Sequence, residues 1–303
     1  MNQQLQFGYY PDSLDLASGP VKIASLPDRE ATKLQVQSNE GIEGDWIYAP
    51  PQLARGLGGR TIQRPYPSRV FGLPKTHVFE HASSEGYDHL AFHLWCLSFF
   101  TGIRLTSTEA GFVDSTPIKP GKLVDFVLLG QGLPYALRLV ETFWIANRLT
   151  PARARLVGAA VHALFLGQDP RRLEFERFTF LYAAIDACFA LCRSLAPVAK
   201  PVGHGHRVEW MCKLFNMPIP GWADPSRPGG AEVASIRNGT VHEALFIGQP
   251  LGFALYGVSG GQNLTLEMQA VVCRLLVALL GEPQNDYVTS PVTTRQRHGL
   301  RFV

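Results

Sequence analysis

Apolar positions in the first 145 residues fall in short runs broken by Pro and Gly. The runs at 21–26, 33–36 and 123–129 have strand length, and Pro50, Pro51, Pro65, Pro67 and the glycines from Gly56 to Gly59 punctuate the loops between them. One segment departs from this. Residues 89–104 are apolar at most positions, which fits a buried helix or a long strand; periodicity alone does not separate the two.

From about residue 133 the pattern becomes helical. Residues 133–149 form the first candidate helix. Thr150-Pro151 then supplies an N-cap and a proline at the first helical position for a helix over 152–166, with Gly167 at its end. Asp169-Pro170 repeats the signal ahead of the longest helix, 171–195. There Phe175, Phe178, Tyr182, Ile185, Phe189 and Cys192 recur at three- and four-residue steps, so one broad face is buried. A short helix over 207–215 and an irregular Pro/Gly stretch over 218–230 follow. Residues 231–247 carry another helix, and Asn263 caps a last one that runs to Leu280 and stops at Gly281. The fold class predicted is α+β, with a strand-containing N-terminal domain over 1–145 and an all-α bundle of four or five helices over 146–303.

Composition narrows the setting. Hydrophobic residues at 46% and charged residues at 17% can fill a core, so a disordered chain is excluded. The N-terminus lacks the basic start and apolar run of a signal peptide. Arg274 interrupts the run from Val271 to Leu280 and His93 the run from Ala91 to Phe100, so neither is a clean span, and no membrane association is expected. The five cysteines are odd in number and irregularly spaced, which argues against a disulfide framework and for a cytoplasmic setting.

Charge adds a direction. Residues 1–145 carry 12 Lys+Arg against 14 Asp+Glu, a balance of −2, and residues 146–303 carry 16 against 11, a balance of +5. An anionic substrate is drawn to the C-terminal half. That half holds the most distinctive six residues, Arg237-Asn238-Gly239-Thr240-Val241-His242. Arginine grips phosphate oxygens with a fixed planar cation, histidine gives and takes a proton near neutral pH, and asparagine orients either one or a substrate hydroxyl. Such a set can cleave a phosphodiester without a metal. Asp186, on the apolar long helix, needs a partner if buried, and Arg237 is the expected one; the bland alternative is that Asp186 faces water.

These six residues, on a helix after a Gly/Pro-rich loop and behind a long amphipathic helix, resemble the signature of the HEPN superfamily (higher eukaryotes and prokaryotes nucleotide-binding). The segment from Glu174 to Asp186 is similar to the long second helix of its members, and the resemblance covers roughly residues 150–285. Gly239 inside the helix is a departure, since glycine there costs about 1 kcal/mol. The resemblance implies a metal-independent endoribonuclease with no cofactor and no metal. It also implies a homodimer or higher homo-oligomer that shares a composite site, with RNA as substrate and a role as toxin or antiviral defence effector. A regulatory partner or antitoxin is further implied. His242 would be the general acid or base, Arg237 the stabiliser of the phosphorane, Asn238 the residue holding the polar network or dimer contact, and Asp186 the carboxylate behind Arg237. The alternative is a catalytically inactive HEPN-like module that binds a nucleotide or a protein.

Other features carry less. His77-x3-His81 and His89-x3-His93 have zinc-like pair spacing, but no cysteine pair joins them and core or surface histidines are the default expectation. His204-Gly205-His206 reads as a solvated loop doublet. Gly56 to Gly59 lacks the Lys-Ser/Thr of a P-loop. Phe92, Trp95, Phe99 and Phe100 read as core and not as a base-stacking platform.

Overall fold

A computed structural model describes residues 3–67, 70–107, 112–113, 115–121, 127–128, 130–196, 200–228, 230–242, 247–248, 252–253 and 264–293. The chain divides into two units, one of residues 1–124 with 131–145 and one of residues 125–130 with 146–303. The class is α+β.

In the first unit, strands β1 (Gln3–Phe7), β2 (Leu16–Ser18) and β3 (Val21–Ser25) precede helix α1 (Arg29–Gln37). Strands β4 (Ile42–Glu43), β5 (Trp46–Tyr48), β6 (Pro51–Arg55), β7 (Thr61–Pro67), β8 (Val70–Phe71) and β9 (His77–His81) lead to helix α2 (Tyr87–Thr101). Strands β10 (Phe112–Val113) and β11 (Ser115–Pro117) and helix α3 (Leu133–Asn147) complete the series. The main sheet is antiparallel in the order β1-β9-β3-β2, so β9 lies between β1 and β3 with His81 opposite Gln3 and Val21. Alternation along β9 buries His77, Phe79 and His81 on one face.

Phe7, Ile23 and Phe79 from the sheet, Leu90, Leu94 and Leu97 from α2 and Leu137 from α3 form one buried cluster. That cluster brings β9, α2 and α3 together. Helix α2 ends at Gly102, whose φ of +68° and Cα approach to Gly121 leave no room for a side chain: a Cβ would sit 2.7 Å from the Gly121 backbone.

The apolar run at 33–36 lies inside α1 and is not a strand. Four residues are too few to show a period, and the helix around them buries only Thr32 and Val36. The candidate strand at 123–129 falls mostly outside the described residues. The glycine-rich 56–59 segment is the turn of the β6–β7 hairpin, with Gly58 and Gly59 at positive φ, and cradles no phosphate-binding helix. Of the apolar segment 89–104, residues 89–101 are helix and 102–104 lie past its cap, and Phe92, Phe99 and Phe100 are core.

His77 titrates against this fold. Its ring stacks on Phe7 at 5.5 Å, and its nitrogens face Thr76 Oγ1 at 2.9 Å and Ser25 Oγ at 3.3 Å. Burial, aided by the Arg29 charge, lowers its pKa from 6.5 to about 4. The unfolded chain therefore binds a proton below pH 6.5 that the folded chain refuses, so stability is full above that pH and falls as pH drops toward 4. Denaturant unfolding at pH 7 and pH 4.5 is expected to show a smaller acid loss in His77→Gln than in the wild type, by about 2–3 kcal/mol. Equal losses in the two proteins rule this out.

The second unit contains α4 (Pro151–Gln168), α5 (Glu174–Leu195), α6 (Arg207–Leu214), α7 (Glu232–His242), α8 (Leu264–Leu279) and α9 (Asp286–Thr289). A two-residue antiparallel pair, β12 (Ile247–Gly248) with β13 (Gly252–Phe253), is added to the helices expected there. Helices α4, α5 and α8 pack on one another, and Val157, Leu164, Leu181, Ile185, Val271 and Leu275 on them are all buried. Gly167 lets α4 and α5 meet closely: a Cβ there would lie 2.6 Å from Leu181 Cγ. Helix α5 is long and apolar enough to cross a membrane, yet half of its apolar window is buried by the bundle, as befits a core helix. It begins at Glu174 and not at 171, because Asp169 Oδ1 accepts the Arg171 N–H in a turn and Glu176 reaches back to the Leu173 N–H at 2.9 Å. The Asn263 cap expected for α8 lies outside the described residues. All five cysteines are free and buried; burial raises the thiols of Cys192, Cys212 and Cys273 to about 12, which makes them poor nucleophiles.

Candidate functional site

Arg237, Asn238 and His242 all lie on α7. Buried Ala231 and Val233 anchor the start of this helix, and it packs on α5 and on the helical turns 204–206 and 221–223. Arg237 is half-buried and Asn238 exposed, so these two groups stand at the bundle surface and not in its apolar interior. Arg237 Nη1 donates to Asn238 Oδ1 at 3.2 Å. The side chain of His242 lies outside the described residues. A Cβ at Gly239 would meet nothing within 4 Å among the described residues, so none of them demands a glycine there.

Asp186 does not take Arg237 as its partner. Arg207, the first residue of α6, reaches it instead, with Nη1 donating to Oδ1 at 2.6 Å, while its guanidinium lies 4.7 Å over the Phe189 ring. Stacking on a ring one turn along α5 holds Arg207 over Asp186, and this pre-empts the expected ion pair. Arg207 Nε is buried and makes no hydrogen bond among the described residues.

One turn before Asp186, the Tyr182 hydroxyl meets His204 Nδ1 at 2.7 Å, so His204 is not a solvated loop residue. His206 is exposed and pairs with Glu209 at 3.0 Å. Burial, helped by the Asp186 charge, pushes the Tyr182 pKa up to about 12 against the opposing pull of Arg207 and Arg237. The charges of Arg207 and Arg237 thus both bear on Tyr182, and α5 packs on both α6 and α7. Sequence spacing marked Arg237, Asn238 and Asp186. It gave no sign of Tyr182, His204 or Arg207, which only packing gathers.

The first unit gathers a second constellation. His81 ends β9, His89 and His93 are one turn apart on α2, and Glu141 lies on α3. The three imidazole Nε2 atoms face one oxygen, Glu141 Oε2, at 3.1, 2.9 and 3.3 Å respectively. The four donor atoms all lie within 4.8 Å of one another. His81, His89 and His93 are 0, 2 and 0% exposed, and Glu141 is 16% exposed. Burial alone pushes the Glu141 carboxyl upward, but the hydrogen bonds from His89 and His81 pull it below the usual carboxylate range. Burial holds the His81 pKa below its ordinary value.

Trp144 stacks on His89 at 4.6 Å and donates its Nε1–H to Glu85 at 3.0 Å, and Phe79 flanks His93 at 5.5 Å. The zinc-like histidine pairs noted in the sequence are thus regrouped. His77, two strand positions further on the same face, belongs to a separate pocket with Phe7 and Thr76, and Glu141, 48 residues after His93, supplies the missing donor. Compared with family models, curated proteins and solved structures, the chain finds no match.

Proposed function

We propose that this chain is a metal-independent endoribonuclease of the HEPN type, acting in the cytoplasm as a homodimer whose site is completed by a second copy. The observation that carries the reading is that Arg237 and Asn238 sit at the bundle surface on the helix that ends in His242, where a second guanidinium, Arg207, approaches the same Tyr182–Asp186 spot. A scissile phosphate needs cationic hydrogen-bond donors for its non-bridging oxygens and proton carriers for its bridging ones.

The RNA 2′-oxygen attacks the neighbouring phosphorus. The O2′–P bond forms, the P–O5′ bond breaks, one imidazole accepts the 2′-hydroxyl proton and another delivers a proton to the departing 5′-oxygen. Arg237 holds the extra negative charge that builds on the phosphorane. Arg237 and His242 are about 140° apart around α7, so one helix does not bring both to one phosphate, whereas two symmetry-related helices do. In this reading Asp186 acts through Arg207 and Tyr182, as a positioning group. RNA is the substrate, and a partner that masks the dimer face, such as an antitoxin, is the natural regulator of a toxin or defence effector.

Incubation with single-stranded RNA, followed by analysis of the fragment ends, tests the chemistry. Expected are 2′,3′-cyclic phosphate and 5′-hydroxyl ends, and no cut at a 2′-deoxy position placed in the same strand. Cleavage of the deoxy position, or 3′-hydroxyl ends, sinks the mechanism. RNA that is bound but left intact assigns the chain to non-catalytic binding.

A further inference from the structure

We propose that His81, His89, His93 and Glu141 bind one divalent transition-metal ion of the zinc class, which fastens β9, α2 and α3 together. The donor set is three imidazole nitrogens and one carboxylate oxygen, a combination suited to Zn2+ and its neighbours and poorly suited to Ca2+ or Mg2+. The spacing fits as well. Metal–ligand bonds of about 2.0–2.1 Å in a tetrahedron set its edges at about 3.3 Å. The three Nε2–Oε2 separations, 2.9 to 3.3 Å, lie at or just under that edge, and all four donor atoms lie within 4.8 Å of one another, so side-chain adjustments on the order of 1 Å bring the set around one ion.

The protonation pattern points the same way. His93 Nδ1 engages the His89 carbonyl oxygen at 3.1 Å, so that nitrogen carries the proton of the neutral ring. Its Nε2 then presents a lone pair, and this atom is fully buried with no hydrogen-bond partner among the described residues, 3.3 Å from an anionic oxygen. A lone pair facing a carboxylate is repulsive, and a cation between them turns both into ligands. His81 and His89 currently accept long contacts of 3.3 Å at Nδ1 from the Ser83 and Glu85 N–H groups, and so offer Nε2–H to Glu141. Metal loading moves each proton from Nε2 to Nδ1, leaves each ring neutral, and replaces those two contacts. Four protein donors fill a tetrahedral shell, and the Trp144 and Phe79 rings pack on His89 and His93, which marks a structural ion and not a catalytic one. The inference stands apart from the ribonuclease reading, whose chemistry lies in the other unit.

The test uses the full chain, untagged and stripped with a chelator. Titration with Co2+ is expected to saturate at one equivalent with the intense visible absorption of a four-coordinate site. One equivalent of Zn2+ is expected to erase that absorption and to raise the melting temperature. His93→Gln and Glu141→Gln are each expected to weaken Co2+ binding at least a hundredfold. A wild type that shows no saturable band, or only the faint band of six-coordinate Co2+, overturns the proposal. So does a folded His93→Gln protein with wild-type affinity. Should either variant fail to fold, the wild-type spectrum and stoichiometry decide alone. Loss of RNA cleavage is not part of this readout, so failure here leaves the ribonuclease reading standing, and the reverse holds too.

Discussion

His242→Ala is expected to slow RNA cleavage by roughly a hundredfold to ten-thousandfold, the usual worth of a positioned general acid or base. Its fold is expected to survive, since the residue is the last of α7 and the helix is anchored at its other end by Ala231 and Val233. Arg237→Ala should cost a similar factor by removing charge stabilisation from the phosphorane, and Arg237→Lys should recover little of it, because an ammonium cannot present the planar fork. A composite site adds a signature that a single-chain site lacks: specific activity falls on dilution as dimers separate. Single-turnover cleavage of a labelled RNA, with circular dichroism to check the fold, reads all of this. Wild-type rates in His242→Ala would remove the histidine from the chemistry and with it the proposed mechanism.

The elements most legible in the sequence were those with local causes. Pro151 after Thr150 opens α4 where expected, since a proline at the first helical position loses no hydrogen bond. The three- and four-residue rhythm of Phe178, Tyr182, Ile185 and Phe189 states the buried face of α5 directly. Short apolar runs carried no such signal. Residues 33–36 suited a strand by length, yet they belong to a helix whose other positions are polar apart from Ala31. The β6–β7 ribbon was hidden because its prolines read as breakers, which a two-stranded hairpin tolerates at its free edges.

Site residues divide the same way. His89 and His93 one turn apart announce a shared face. Nothing in the sequence ties them to His81 on a strand or to Glu141 on a later helix, because the shared core of sheet, α2 and α3 makes that connection. Asp186 was flagged by its apolar neighbours, but its partner is chosen by the Phe189 ring that holds Arg207 in place.

Arg274 shows how far a residue's role can lie from its sequence appearance, and its replacement should give the largest stability loss in the helical unit. In the sequence it only interrupts an apolar run. In the fold it is 2% exposed on α8 and gathers the segment that follows the helix. Its Nε donates to the Ser290 carbonyl at 3.2 Å and Nη1 to the Ala270 carbonyl at 3.1 Å. Its Nη2 donates to Ser290 Oγ at 3.3 Å and the Pro291 carbonyl at 3.1 Å. The guanidinium lies 4.3 Å over the Tyr287 ring, and Tyr287 sits in α9, whose Asn285 cap accepts the Tyr287 N–H at 2.8 Å. Burial lowers the arginine pKa, the mark of a cation held out of water by dipoles.

Arg274→Met keeps much of the volume but leaves buried acceptors without donors, and about 3 kcal/mol is expected to be lost. That corresponds to a fall in melting temperature on the order of 6–12 °C for a unit of this size. Arg274→Lys should not rescue, because one ammonium cannot reach acceptors spread around different edges of the guanidinium plane. Hydrogen exchange should show the loss first at Tyr287, Val288 and Thr289, whose amides depend on the segment that Arg274 pins. A loss below 1 kcal/mol, or full rescue by lysine, would mean that α9 is held by Val288 and its apolar contacts and not by the arginine.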